Sequence, residues 1–102
     1  MSNNRFRIVE DLISSTFNVY DKPIQLYPNP ASDNILLEFS ESLTKSVEIT
    51  IFDELGRTVF REKRNASNQM IPLNTSRLQN GVYLLKGKIG DQIFSKRFIV
   101  HE

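Results

Sequence analysis

The sequence predicts an all-β domain, an antiparallel sandwich of about seven short strands. Three observations predict it. Apolar and polar residues alternate in several short stretches, which is the period of a half-buried strand. Clusters of Gly, Pro, Asn, Asp and Ser separate these stretches, and those are turn formers. Beyond residue 22 no stretch needs an amphipathic helix to explain it.

Residues 1–22 are the ambiguous part. Phe6, Val9, Ile13, Phe17 and Tyr20 recur at helical spacing, but Ser14, Ser15, Thr16 and Asn18 are weak helix formers. The segment reads as a linker upstream of a domain spanning 23–102, with a donated strand and a helix as the other readings.

From Pro23 onward the elements follow in order. Ile24 to Tyr27 forms a short strand that stops at Pro28-Asn29-Pro30, where two prolines fix φ and remove two amide donors. Ala31 to Asn34 turns the chain. Ile35, Leu37 and Phe39 alternate with Leu36 and Glu38 as the next strand, and a polar loop carrying Leu43 follows. Val47, Ile49 and Ile51 form a strand that ends at Asp53-Glu54-Leu55-Gly56. Asp53 suits the start of a type I turn. Gly56 supplies the left-handed residue of a three-residue hairpin loop with a bulge. In that register Asp53 faces Arg57, Phe52 faces Thr58 and Ile51 faces Val59. The return strand runs to Arg64.

A turn at Asn65 to Asn68 leads to Met70-Ile71-Pro72-Leu73, a strand whose proline marks a sheet edge. The loop from Asn74 to Asn80 holds a single Leu, Leu78, which is expected to plug the core. Gly81 to Leu85 begins a long strand that turns at Gly90-Asp91. Glycine in first place suits a two-residue type II′ turn. Ile93 to Val100 returns, setting Tyr83 opposite Phe98 and Leu85 opposite Lys96. Strand number and chain length give a sandwich of immunoglobulin-like size.

Composition narrows the function. The 102 residues suit one domain, and 39% hydrophobic and 25% charged are ordinary globular values. No run approaches the ~20 apolar residues of a membrane helix. Met1 to Arg7 is polar and no apolar secretory core follows. The chain is therefore expected to be cytoplasmic or a piece cut from something longer. With no Cys, no disulfide, thiol nucleophile or thiolate metal site exists. The one histidine, His101, gives neither a Ser-His-Asp triad nor a zinc site credible members. No metal and no cofactor is expected.

A net charge of +1 offers no global field for nucleic acid. Charge is uneven, however. Residues 1–56 hold nine acids and four bases, while 57–102 hold three acids and nine bases. Interleaving of the two halves in one sheet would mix these charges; otherwise a basic surface results. Arg57, Arg61, Lys63 and Arg64 crowd one strand, which reads as an exposed strand kept soluble by charge, with an anion site as the other reading. The acids Asp33, Asp53 and Asp91 fall on turns, where Asp serves the backbone. Two glycosylation-type triplets, Asn65-Ala66-Ser67 and Asn74-Thr75-Ser76, carry no weight at this length. The residue chemistry thus describes a sandwich without an active site, one that binds, connects or is recognised.

One resemblance adds to this. Tyr27-Pro28-Asn29-Pro30-Ala31-Ser32-Asp33, then Ile49 to Asp53 with Gly56-Arg57 and Val59, Ile71 to Leu73 with Leu78, Gly81-Val82-Tyr83 and the closing Lys96-Arg97-Phe98-Ile99-Val100 occur in a characteristic order. In this order the chain resembles the C-terminal sorting domain of the type IX (Por) secretion system of Bacteroidetes. The resemblance covers about residues 23–102, with a weaker echo at Val9-Glu10-Asp11-Leu12 of the linker found upstream. It implies an immunoglobulin-like seven-strand sandwich that is not an enzyme. It also implies a fused upstream cargo, passage through the periplasm and delivery to the cell surface or medium. The translocon reads the domain, and a sortase commonly removes it and joins the cargo to an anionic lipopolysaccharide. By matching, Gly81, Tyr83 and Lys96 are the recognition candidates, with folding as the other reading of Gly81 and Tyr83. Pro28, Asn29, Pro30, Asp53, Gly56 and Gly90 are the turn residues expected to fix the fold.

Lys96 is singled out because a charge opposite Leu85 is unusual unless its head reaches a partner or snorkels. Met1 is then expected to begin a piece cut at the domain boundary; the other reading is a stand-alone protein sharing the fold. The competing functional class is a fibronectin-like or carbohydrate-binding, adhesive appendage of an extracellular enzyme, against which the absence of Trp counts. A homodimer is a partner left open.

Overall fold

The computed structural model describes residues 18–65 and 69–102. The upstream echo at Val9–Leu12, the helical spacing from Phe6 to Phe17 and the center of the Asn65–Asn68 turn lie outside the described residues.

Eight strands build two sheets: β1 Asn18–Val19, β2 Ile24–Tyr27, β3 Asn34–Phe39, β4 Ser46–Phe52, β5 Thr58–Asn65, β6 Met70–Asn74, β7 Gly81–Ile89 and β8 Gln92–Val100. One sheet runs β1-β8-β7-β4-β5 and the other β2-β3-β6. Apart from β1, whose two residues are exposed, the strands send alternate residues into the space between the sheets. Ile35, Leu37 and Phe39 from β3, Val47, Ile49 and Ile51 from β4, Ile71 and Leu73 from β6 and Leu85 and Phe98 from the long hairpin are nearly or wholly buried. Leu43 and Leu78 reach this core from their loops. As Pro72 indicated, β6 is an edge. The halves of the chain do interleave: β4 lies between β5 and β7, and Glu48 faces both Lys63 and Lys88.

The closing hairpin has the expected register, with Tyr83 opposite Phe98 and Leu85 opposite Lys96. Gly90 takes φ 61, as the first position of a type II′ turn requires.

The central hairpin differs from expectation. Gly56 is left-handed at φ 80, and Phe52 does face Thr58, but the register then slips and Ile51 faces Phe60 rather than Val59. Val59 is bulged outward and 40% exposed. The expected pairing would have aimed Arg61 and Lys63 inward with Val59. The bulge instead brings Phe60 against the core, followed on that face by Glu62 and Arg64. These two are mutually compensating, because Arg64 Nε donates to Glu62 Oε1. Arg64 Nη2 also donates to the Pro72 carbonyl across the sheets at 3.1 Å. One larger apolar ring and one neutralised pair replace a valine and two like charges.

A second difference concerns the start. The sandwich takes in the last residues of the segment read as linker. Asn18 and Val19 pair in parallel with Gln92 and Ile93 of β8. The Tyr20 ring lies within the core against Phe39 and Phe94, supplying apolar area that a free linker would leave in water. This two-residue strand makes eight strands where about seven were expected. Ala31, expected in a turn, is fully buried and bridges Val100 in parallel.

Candidate functional site

The turn residues are tied to the strands around them. Asp53 accepts from the backbone N–H groups of Leu55 and Arg57, each at 2.9 Å, and from Arg57 Nε at 2.8 Å. The Arg57 N–H, then the Arg57 side chain and the Leu55 N–H, hold the Asp53 carboxyl below its ordinary value. Pro28 and Pro30 both follow cis peptide bonds, and Asn29 between them accepts the Ile99 N–H of β8 through Oδ1 at 2.9 Å. The Pro-Asn-Pro turn is thus a clamp on the closing strand as well as a strand breaker. Sequence reasoning assigned Asn29 to the turn; its bond to β8 comes from the tertiary fold.

The three recognition candidates lie on β7 and β8. Tyr83 is a core residue: its ring stacks on Phe98 at 5.6 Å between centroids and 24° between planes. Its hydroxyl donates to the Gln79 carbonyl at 2.6 Å, and burial raises its pKa. Gly81 begins β7, where a Cβ would sit 3.3 Å from Glu54 Oε1. Lys96 lies on the inward face of β8, half-buried opposite fully buried Leu85. It makes no hydrogen bond or ion pair among the described residues. Lys96 therefore stands apart: its stem lies along the seam between the sheets, in a cleft shared with Ile24 and Gln25 of β2.

The outer face of the large sheet has a different character. Val82, Leu84 and Ile99 are each about two-fifths exposed and adjoin one another through the pairs Val82–Ile99 and Leu84–Arg97. Lys86, Lys88, Arg97, Arg61 and Lys63 surround or extend this apolar row, with Glu48 as the acid among them. The four cations of the closing hairpin are thus divided, with Lys86, Lys88 and Arg97 projecting outward and Lys96 inward.

Among the described residues no three His, Asp or Glu side chains group to hold a metal ion, and no helix is long and apolar enough to cross a membrane. The surface can offer cations, apolar area and unpaired strand edge, which serve recognition.

Residues 25–101 match the model of the secretion system C-terminal sorting domain. The chain is 31% identical over 78 residues to an endo-acting ulvan lyase of Formosa agariphila, matching over 76% of this chain and 14% of that protein. It therefore spans about one-seventh of this curated relative. In structure it is similar to a DUF3244 family protein of Bacteroides vulgatus with an immunoglobulin-like β-sandwich fold. The TM-score is 0.65 at 14% identity, covering 79% of this chain and 86% of the other. That likeness establishes the fold alone.

Proposed function

The chain belongs to the secretion system C-terminal sorting domain family, and from that premise we propose that it is the address by which the type IX machinery exports a fused upstream cargo. The observation that carries this reading is the family match, which takes in seven of the eight strands, β2 to β8. The coverage of the lyase relative, 14%, fits a small address on a much larger protein. The domain itself performs no catalysis in this reading. The cargo crosses the periplasm, passes the outer membrane and remains at the surface or enters the medium. There a sortase removes the domain and attaches the cargo.

Lys96 is the residue we assign to recognition. Lys96 lies half-buried on the inward face of β8 with no acid or acceptor meeting it among the described residues, so no contact within the fold accounts for a charge at this place. Tyr83 is accounted for by stacking and its hydroxyl bond, and Gly81 by the approach of Glu54.

The test fuses residues 1–102 behind a signal peptide and a reporter in a Bacteroidetes host with an intact type IX system. Reporter activity is compared between periplasm and medium. Export that depends on the domain supports the reading, and equal export without it refutes the reading in favour of an adhesive appendage. Lys96→Ala is expected to fold and to lower export. Wild-type export by the folded variant removes Lys96 from recognition.

A further inference from the structure

Strand β8 runs along the side of the large sheet, and among the described residues its free edge is only partly covered. In an antiparallel pair alternate residues bond to the neighbouring strand and the others turn their N–H and C=O away. The bonds on the far side of β8 show which are which. Asp91 and Ile93 carbonyls accept from Asn18 N and Tyr20 N at 3.1 and 2.8 Å. At the other end the Ile99 carbonyl accepts from Ala31 N at 2.7 Å, and Ile99 N–H donates to Asn29 Oδ1. The odd-numbered residues therefore face the edge, and Ser95 and Arg97 lie between the two covered stretches.

The reason for the gap is the path of the chain. It pairs in parallel with β8 at Asn18 and Val19, leaves to build β2 in the other sheet, and returns to β8 only at Ala31, again in parallel. Ser95 and Arg97 are left with two N–H donors and two carbonyl acceptors unmatched by any backbone partner among the described residues. Two adjoining clefts run beside them and share Ile24, Gln25 and Lys96. Lys22, Lys86, Lys96 and Arg97 line these clefts against a single acid, Asp21.

We propose that the Ser95–Arg97 edge of β8 receives an extended, acidic segment of a partner protein as an added strand. The guest lies between Val19 and Ala31, and Lys96 and its neighbouring cations meet its carboxylate. The span from Ile93 to Ile99 is about 20 Å at strand rise, room for a guest of about four residues. Backbone pairing supplies attachment and the lysine selects for charge. That the partner is a component of the secretion machinery rests on the sorting reading; the binding event does not.

The test is a titration of the nitrogen-15-labelled chain with the capped four-residue peptide acetyl-Val-Glu-Val-Thr-amide, followed by amide shifts and hydrogen exchange. Ser95 and Arg97 amides are expected to shift and to exchange more slowly, while Lys63 on the opposite edge does not respond. A peptide with Lys for Glu is expected to bind about tenfold more weakly, since a charge-assisted contact becomes a repulsion. Ser95→Pro removes an edge donor without touching the β7 ladder, and is expected to fold but to lose the peptide. Unmoved Ser95 and Arg97 signals at millimolar peptide overturn the proposal. So does equal affinity of the two peptides. If Ser95→Pro does not fold, the two peptides on the parent chain decide alone.

The reporter fusion provides the second arm. If the parent exports and folded Ser95→Pro exports equally, the machinery does not use this edge and the assignment of the partner to the secretion machinery falls, while the titration decides the edge itself. If the parent fails to export, the sorting reading falls, and the titration still decides whether the edge binds an acidic strand.

Discussion

Replacing Gly87 by alanine would displace an aromatic ring from the core. Gly87 faces Phe94 across the closing hairpin, and the Phe94 ring lies over the space a side chain would occupy. A Cβ there would stand 2.2 Å from Cζ and 2.3 Å from Cε1 of that ring. Ordinary carbon contact begins near 3.5 Å, so the ring must withdraw by about 1.3 Å. It has little room to do so, because Phe94 packs against Tyr20 and Phe39 with centroids 6.1 and 5.6 Å away. Overpacking of this kind costs about 2 kcal/mol, which for a domain of this size lowers Tm by about 10 °C. The assay is thermal unfolding followed by circular dichroism. The double variant Gly87→Ala with Phe94→Leu, which removes the ring, is expected to recover part of the loss. A single variant melting within about 2 °C of the parent would refute the reasoning, as would a double variant whose losses simply add.

At Gly56 no atom lies within 4 Å of an added Cβ, so Gly56→Val isolates backbone strain at φ 80 and is expected to cost about 1–2 kcal/mol in a denaturant melt; unchanged stability refutes the left-handed turn. The buried Tyr20 hydroxyl has no hydrogen-bond partner among the described residues, so Tyr20→Phe is expected to be neutral or to stabilise by up to about 1 kcal/mol, and a clear loss would show that the hydroxyl is bonded. Burial, then Glu41 and Asp21, raise the Tyr20 pKa above its ordinary 10.0. The folded chain thus keeps this proton to higher pH than the unfolded chain. The resulting stability is present below pH 10 and is lost as pH rises through the folded value. Melts across that range should show Tyr20→Phe losing less stability than the parent.

Much of the fold was legible locally. Ile35, Leu37 and Phe39 announced β3 by alternation, and Gly90-Asp91 fixed the register of the last hairpin because a two-residue loop leaves no slack. The same register, carried three residues further, places Phe94 on Gly87, so that contact was within reach of the sequence. The bulge at Val59 was not. Val59 and Phe60 are both apolar neighbours, and the choice between them depends on Glu62, Arg64 and the distant Pro72 carbonyl. The β1 strand escaped because two residues show no period and because its partner lies more than seventy residues away. Of the candidate site, the odd placement of Lys96 was readable from its pairing with Leu85. The open edge beside it was not, since that depends on where the chain leaves β8 and returns.

The parallel pairing of β1 and Ala31 with β8 has a mechanical consequence. Two parallel strands pulled at the start of one and the end of the other are loaded in shear, along their length. For a chain drawn at residue 18 and held at residue 101, the bonds from Asn18, Tyr20 and Ala31 to β8 and from His101 to Ala31 bear force together instead of opening one after another. Separating them also moves the buried Tyr20 and Ala31 side chains relative to the core. In the proposed role, traction from an upstream cargo on a domain held near residue 101 would fall along this line. Under such a load, the strands that bracket the open edge of β8 would resist in shear, as a clamp across the sandwich.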